Sequence, residues 1–115
     1  MIIRDVQIKE FEAAARRRFE AIAIAKLRNE YPERLEHTPD ERLRADVRIG
    51  WESAGQYGLT DEAWVLEFLG YIVQFGSDFG CTPETAWGGR ILERTDLTEE
   101  QKIAELEGYV VRYLI

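Results

Sequence analysis

The stretch TDEAWVLEFLGYIVQFG, residues 60–76, decides the fold because it is apolar at nearly every position. Only Glu67, Gly70 and Gln74 interrupt the apolar run that starts at Trp64, so no single stripe of a 3.6-residue period contains all of its apolar side chains. The run is about 12 residues long and contains a glutamate, whereas a membrane span requires roughly 20 apolar residues. The pattern therefore predicts a core helix that is buried on most of its sides.

The ends of this helix carry their own signals. We expect Thr60 to cap its first turn, where Asp61 and Glu62 complement the positive end of the helix dipole. Gly76 is expected to end the helix, because glycine adopts the left-handed conformation that follows many helices.

Two helices are predicted before the core helix. Apolar residues recur at three- and four-residue spacing from about Val6 to Glu30, and Tyr31-Pro32 ends this first helix because proline cannot continue its hydrogen bonding. The second is expected to begin with a capping box over residues 38–41, with Thr38 as the cap. Its glycines, Gly50 and Gly55, suggest that another backbone passes close by.

Tyr57-Gly58-Leu59 is typical of a glycine-terminated helix end, and so short a link predicts that the second helix packs against the core helix. After Gly76, residues 77–85 are rich in turn formers, and a weak helix is predicted over residues 86–93. Phe79 and Trp87 are expected to anchor this segment to the core. A second capping box at residues 98–101 opens the last helix. The chain, residues 1–115, is thus predicted to be one all-α domain, a bundle of four helices plus a short helix.

The net charge of −7 is unevenly distributed. Residues 1–57 contain 11 basic and 11 acidic residues, whereas residues 58–115 contain 4 and 11. A field of this sign repels phosphate, so we expect no nucleic-acid partner, and the lack of a long apolar run predicts no membrane span. One cysteine, and an N-terminal stretch without the pattern of a signal peptide, favour a cytoplasmic location.

No known catalytic or metal-binding pattern occurs in the sequence, so we expect no enzyme activity and no cofactor. His37 lies in a polar connection and Cys81 in a loop, and a nucleophilic thiol would require His37 as its base from far away in sequence. The run Arg16-Arg17-Arg18 points in three directions on a helix, which favours a solvated face over a phosphate site.

The chain resembles a small bacterial family, the short helical accessory proteins encoded beside the spike, chaperone and effector genes of type VI secretion systems. The resemblance covers roughly residues 16–106. It rests on Arg18-Phe19, Ala25 to Leu27, Tyr31-Pro32, Leu43 to Gly50, Ala54 to Leu59, Thr60-x-Glu62, Val65, Phe68-Leu69, Gly76-x-Asp78-Phe79 and Trp87-x-x-x-Ile91-Leu92. It implies an adaptor or co-chaperone that binds an effector chaperone or the effector itself, without catalytic residues.

One departure from the family pattern identifies a candidate binding surface. The face of the core helix that is polar in the family carries Trp64, Leu66, Glu67 and Gly70 here, with Ala63 beside them. We predict that these residues bind the partner. The alternative is that they pack beneath the last helix or the loop that follows the core helix.

Three functions follow as hypotheses. The first is an adaptor or co-chaperone that loads a type VI effector. The second is an acidic immunity protein that inhibits a cognate toxin, since its acidic second half would complement a basic active site. The third is a self-associating bundle, such as a homodimer, without another partner.

Overall fold

A computed structural model describes the backbone of residues 2–115 and the side chains of residues 13–115. It contains five α-helices and ends in a π-helical turn: α1 (Ile2–Glu30), α2 (Asp40–Gln56), α3 (Glu62–Phe75), α4 (Ala86–Leu92), α5 (Glu99–Tyr109) and the turn Val110–Leu114. No strand occurs in the described backbone, and the predicted all-α fold of four helices plus a short one is confirmed. None of these helices combines the length and apolar character that a membrane crossing requires.

The predicted core helix is α3, and it packs against α1, α2 and α5. It buries Val65 and Phe68 in its first half and Leu69, Tyr71 and Ile72 in its second. Such burial on several sides explains why its sequence shows no polar stripe.

The expected cap of α3 is wrong by one residue. Asp61, not Thr60, occupies the N-cap position, and its carboxylate accepts a hydrogen bond from the Ala63 backbone N–H at 3.0 Å. Gly76 ends the helix, as predicted, and has a positive φ of +104°, but its ψ of 162° differs from the left-handed helical conformation that was expected.

The connection between α1 and α2 is held by Arg28 and not by a capping box. Its guanidinium donates to the carbonyl oxygens of Leu35 at 3.0 Å and Thr38 at 2.7 Å, and it also binds the Asp40 carboxylate. Pro39 occupies the N-cap position of α2 and no side chain caps the helix, so the predicted role of Thr38 is wrong.

The C-terminus of α2 forms a Schellman motif, as the sequence indicates. Gly58 has a φ of +80°, its N–H donates to the Gly55 carbonyl at 3.1 Å, and the N–H of Leu59 donates to the Ala54 carbonyl at 2.8 Å. The expectation of a nearby backbone is wrong for both helix glycines. A Cβ at Gly50 would overlap the Leu69 side chain of α3, and a Cβ at Gly55 would meet no atom within 4 Å.

Aromatic rings join the loop after α3, helix α4 and helix α5 to the core. The ring centroids of Phe75 and Phe79 lie 5.4 Å apart, and Phe79 packs edge-to-face against Trp87 at the same distance. Trp87 in turn stacks on Tyr109 of α5 with centroids 4.2 Å apart. Phe79 and Trp87 are both buried, which confirms them as the anchors of this segment.

Candidate functional site

The predicted binding residues lie on α3, but they do not form one open face. Successive helical residues are about 100° apart, so Trp64 and Leu66 lie roughly 200° apart around the axis. Both side chains are partly buried and pack against the core cluster. A single flat partner surface therefore cannot contact the whole of both residues.

Gly70, one of the predicted binding residues, is buried and offers no accessible side chain. A Cβ at this position would lie 2.9 Å from the hydroxyl oxygen of Tyr31, the residue that follows α1. The same hydroxyl accepts a hydrogen bond from the Gln74 side chain at 2.9 Å. Burial is the main reason that the pKa of Tyr31 is raised. The absence of a side chain at Gly70 therefore makes room for Tyr31.

Glu67 also faces α1. Its carboxylate lies 3.7 Å from the Lys26 ammonium, which pairs in addition with Glu30. The hydrogen bond with Glu30 is the first cause that raises the pKa of Lys26, with Glu67 contributing as well. Glu67 and Gly70 thus pack along α1, and not beneath the last helix or the loop after α3.

Three of the predicted residues, Trp64, Leu66 and Glu67, are partly exposed, and the fully exposed residues of this region lie in the first turn of α3. Asp61, Glu62 and Ala63 are exposed there, and Trp64 is partly exposed beside them. The candidate contact surface therefore consists of Trp64 beside two exposed carboxylates, with Leu66 and Glu67 partly exposed farther along the helix.

A polar junction beside this turn was missed in the sequence. The Glu99 carboxylate of α5 accepts hydrogen bonds from the backbone N–H groups of Thr60 at 2.6 Å and Asp61 at 2.9 Å. These bonds to Asp61 and Thr60 hold the pKa of Glu99 below its usual range. No local pattern indicates this contact, because Glu99 and Thr60 are 39 residues apart.

The same helix also supports the end of α2. Lys102 is buried, and its ammonium donates to the Tyr57 carbonyl oxygen at 2.6 Å. Helix α5 therefore presents a carboxylate to the positive end of α3 and an ammonium to the negative end of α2. The two contacts hold the short link between α2 and α3 at both of its ends.

The other reactive side chains lie apart from this turn. The His37 side chain is 92% exposed, with the Glu36 carboxylate 4.0 Å away. Cys81 is exposed in the loop after α3, next to Tyr57, whose pKa is raised by burial first and by Cys81 second. Within residues 13–115, no three His, Cys, Asp or Glu side chains are grouped as metal ligands. Arg16, Arg17 and Arg18 are all exposed, as the helix pattern predicts.

Comparison with protein-family models, curated proteins and solved structures found no match.

Proposed function

We propose that this chain is a non-enzymatic protein-binding adaptor that acts with an effector chaperone as a co-chaperone in type VI effector loading. The observation that carries the binding role is the partly exposed Trp64 at the start of a helix whose other large apolar residues are mostly buried. The type VI role is supported by the family resemblance of residues 16–106.

An indole at this position suits a protein contact for two reasons. Tryptophan is enriched among the few residues that contribute most of the free energy of protein–protein binding. In addition, Asp61 and Glu62 are exposed beside it and supply a polar rim, which is the arrangement of an apolar centre surrounded by charged residues. The rim favours a partner with basic groups around an apolar pocket.

The binding role is tested by Trp64→Ala. We expect the partner affinity to fall by about 2 kcal/mol or more, on the order of 30-fold, because a central aromatic contact is lost. The partner is first captured from the producing cell, and its affinity is then measured by calorimetry. Ile49→Ala is the matched control, because Ile49 is a 47% exposed apolar residue on α2. The control is expected to bind within about twofold of the parent protein.

Partial burial of Trp64 adds a requirement to this experiment. Truncation of a fully buried tryptophan lowers the free energy of unfolding by about 3 to 5 kcal/mol. Because Trp64 is only partly buried, Trp64→Ala should lower it by less. Calorimetry is therefore performed at a temperature at which circular dichroism shows both variants to be folded. Unchanged affinity in folded Trp64→Ala would refute the proposed contact.

An immunity protein is the second candidate, and the exposed carboxylates of α5 favour it. Glu100, Glu105 and Glu107 are exposed on this helix, in the half of the chain that carries the whole excess of negative charge. If an acidic surface inhibits a basic toxin, Glu100→Lys with Glu105→Lys will slow association strongly at low salt, while Trp64→Ala will change little. Stopped-flow measurements at two salt concentrations distinguish this pattern from the adaptor pattern.

A further inference from the structure

A basic groove runs between α1 and α2, and it contains no residue of α3. Its larger recess has a volume of about 340 Å³ and is lined by three arginines, one glutamate and two apolar residues, which are Arg17, Arg44, Arg48, Glu20, Ala21 and Ile24. Both apolar residues belong to α1, and the arginines come from both helices. The groove therefore combines an apolar strip with cationic walls.

The charge of the groove is opposite to that of the chain. The Glu20 side chain is 6% exposed and accepts a hydrogen bond from Arg48 at 2.8 Å, so one arginine is already paired. Among the side chains from residue 13 onward, no carboxylate oxygen lies within 4.0 Å of Arg17 or Arg44. Two exposed guanidinium groups thus face the recess without a described partner, in a protein whose net charge is −7.

A small apolar pocket continues the groove beyond the Glu20–Arg48 pair. Its volume is about 50 Å³. Phe19, Val47 and Trp51 form its apolar wall, and two arginines and two glutamates also line it, namely Arg16, Arg48, Glu20 and Glu52. Phe19 and Trp51 pack edge-to-face with ring centroids 4.4 Å apart. The pocket exceeds the roughly 10 to 15 Å³ that one water molecule requires, and aliphatic carbons fit such a wall better than water does.

We infer that the α1–α2 groove binds an acidic peptide segment of a protein partner. Carboxylates of the segment meet Arg17, Arg44 and Arg48, and an aliphatic side chain enters the pocket beside Trp51. Guanidinium groups bind carboxylates through paired N–H donors, and the apolar pocket adds a contact that a nucleic-acid backbone does not use.

The test uses a synthetic 12-residue peptide with a central leucine flanked by glutamates, titrated into the ¹⁵N-labelled protein. We expect saturable shifts of backbone amides in the groove, including those of Ala21 and Arg44. Arg17→Glu combined with Arg44→Glu is expected to weaken binding at least tenfold, since two attractive charges become repulsive. Arg90→Glu reverses an exposed arginine on α4 and is expected to change the affinity less than twofold.

Three results would overturn the inference. They are the absence of saturable shifts, equal binding of a peptide with lysine in place of every glutamate, and tighter binding of a 12-nucleotide thymidylate strand at the same amides. Arg17→Gln with Arg44→Gln is the second variant if the charge reversal prevents folding, and unchanged binding by it would also refute the role. Trp64→Ala should leave peptide binding unchanged, so this test is independent of the adaptor surface on α3.

Discussion

Helices α2 and α5 both start with the sequence pattern of a capping box, but only α5 forms one. In α5, Thr98 accepts a hydrogen bond from the Gln101 backbone N–H at 3.1 Å, and the Gln101 side chain accepts one from the Thr98 N–H at 2.9 Å. This is the reciprocal capping box that both sequences predict. In α2 no side chain caps the helix, although Thr38 is followed three residues later by Glu41.

The backbone of Thr38 explains the difference. Its N–H donates to the Leu35 carbonyl at 3.1 Å, and its carbonyl oxygen accepts from Arg28 at 2.7 Å. Both groups are therefore bonded within the connection, and the helix begins one residue later than the pattern suggests. Helix α2 depends on its packing against neighbours, whereas α5 is also stabilised by bonds within its own first turn.

The largest expected effect concerns the packing that holds α2. Leu69 is 1% exposed and covers Gly50 of α2, so Leu69→Ala should reduce the free energy of unfolding by about 2 to 5 kcal/mol. Urea denaturation followed by circular dichroism measures this loss. Leu66→Ala, at a partly buried position, is the control and should lose less. A loss under about 1 kcal/mol for Leu69→Ala would show that this contact does not hold α2.

The next effect tests the same contact from the α2 side. Gly50→Ala places a methyl group against Leu69. Overpacking should cost about 1 to 3 kcal/mol of stability, which exceeds the gain of up to about 1 kcal/mol from the higher helix propensity of alanine, so the variant should be less stable than the parent protein. Gly55→Ala is the matched control, because it adds the same methyl group in open space and should be neutral or stabilising. Equal stabilisation by both changes, in thermal unfolding, would contradict the close approach of α2 and α3.

A third prediction concerns the contact that α5 makes with the start of α3. Glu99→Ala leaves two backbone N–H groups without their carboxylate acceptor. Because both hydrogen bonds are exposed and water replaces the acceptor, we expect a loss of about 1 kcal/mol at pH 7. Glu100→Ala is the control, since it changes the same first turn but has no part in the junction.

The pH dependence of this loss has a defined sign. The pKa of Glu99 is lower in the folded protein, so its contribution is complete above the unfolded value of about 4.3 and is lost as the pH falls through the folded value. The difference in stability between the parent protein and Glu99→Ala should therefore shrink on acidification. A difference that stays constant from pH 7 to about pH 2 would show that the carboxylate charge is irrelevant.

The smallest expected changes in stability come from replacing the two threonines, Thr98 and Thr38, that the sequence predicts as helix caps. Thr98→Ala removes the acceptor of a capping box and should cost about 1 kcal/mol. Thr38→Ala removes a side chain that caps nothing and should change stability by less than about 0.5 kcal/mol. Chemical denaturation of both variants gives the comparison. Equal losses would mean that Thr38 stabilises α2 after all.

Features that depend on neighbouring residues were predictable from the sequence. The apolar run after Trp64 predicts a buried helix, the glycine at position 58 predicts the end of α2, and the residues from Thr98 to Gln101 predict the start of α5. The two helix ends are made by groups within about six residues of one another, and the burial of α3 is visible because its apolar residues are consecutive, so the spacing of residue types is sufficient.

The tertiary structure alone decided which side chains meet from distant parts of the chain. Glu99 bonds to Thr60 across 39 residues and Gln74 to Tyr31 across 43, and no periodicity connects such positions. The candidate surface on α3 changed for this reason, because Tyr31 covers Gly70 and α1 pairs with Glu67. The sequence determined that α3 is buried on most sides, while only the packing of Tyr31 and α1 against it decided that Gly70 is buried and that Glu67 pairs with Lys26.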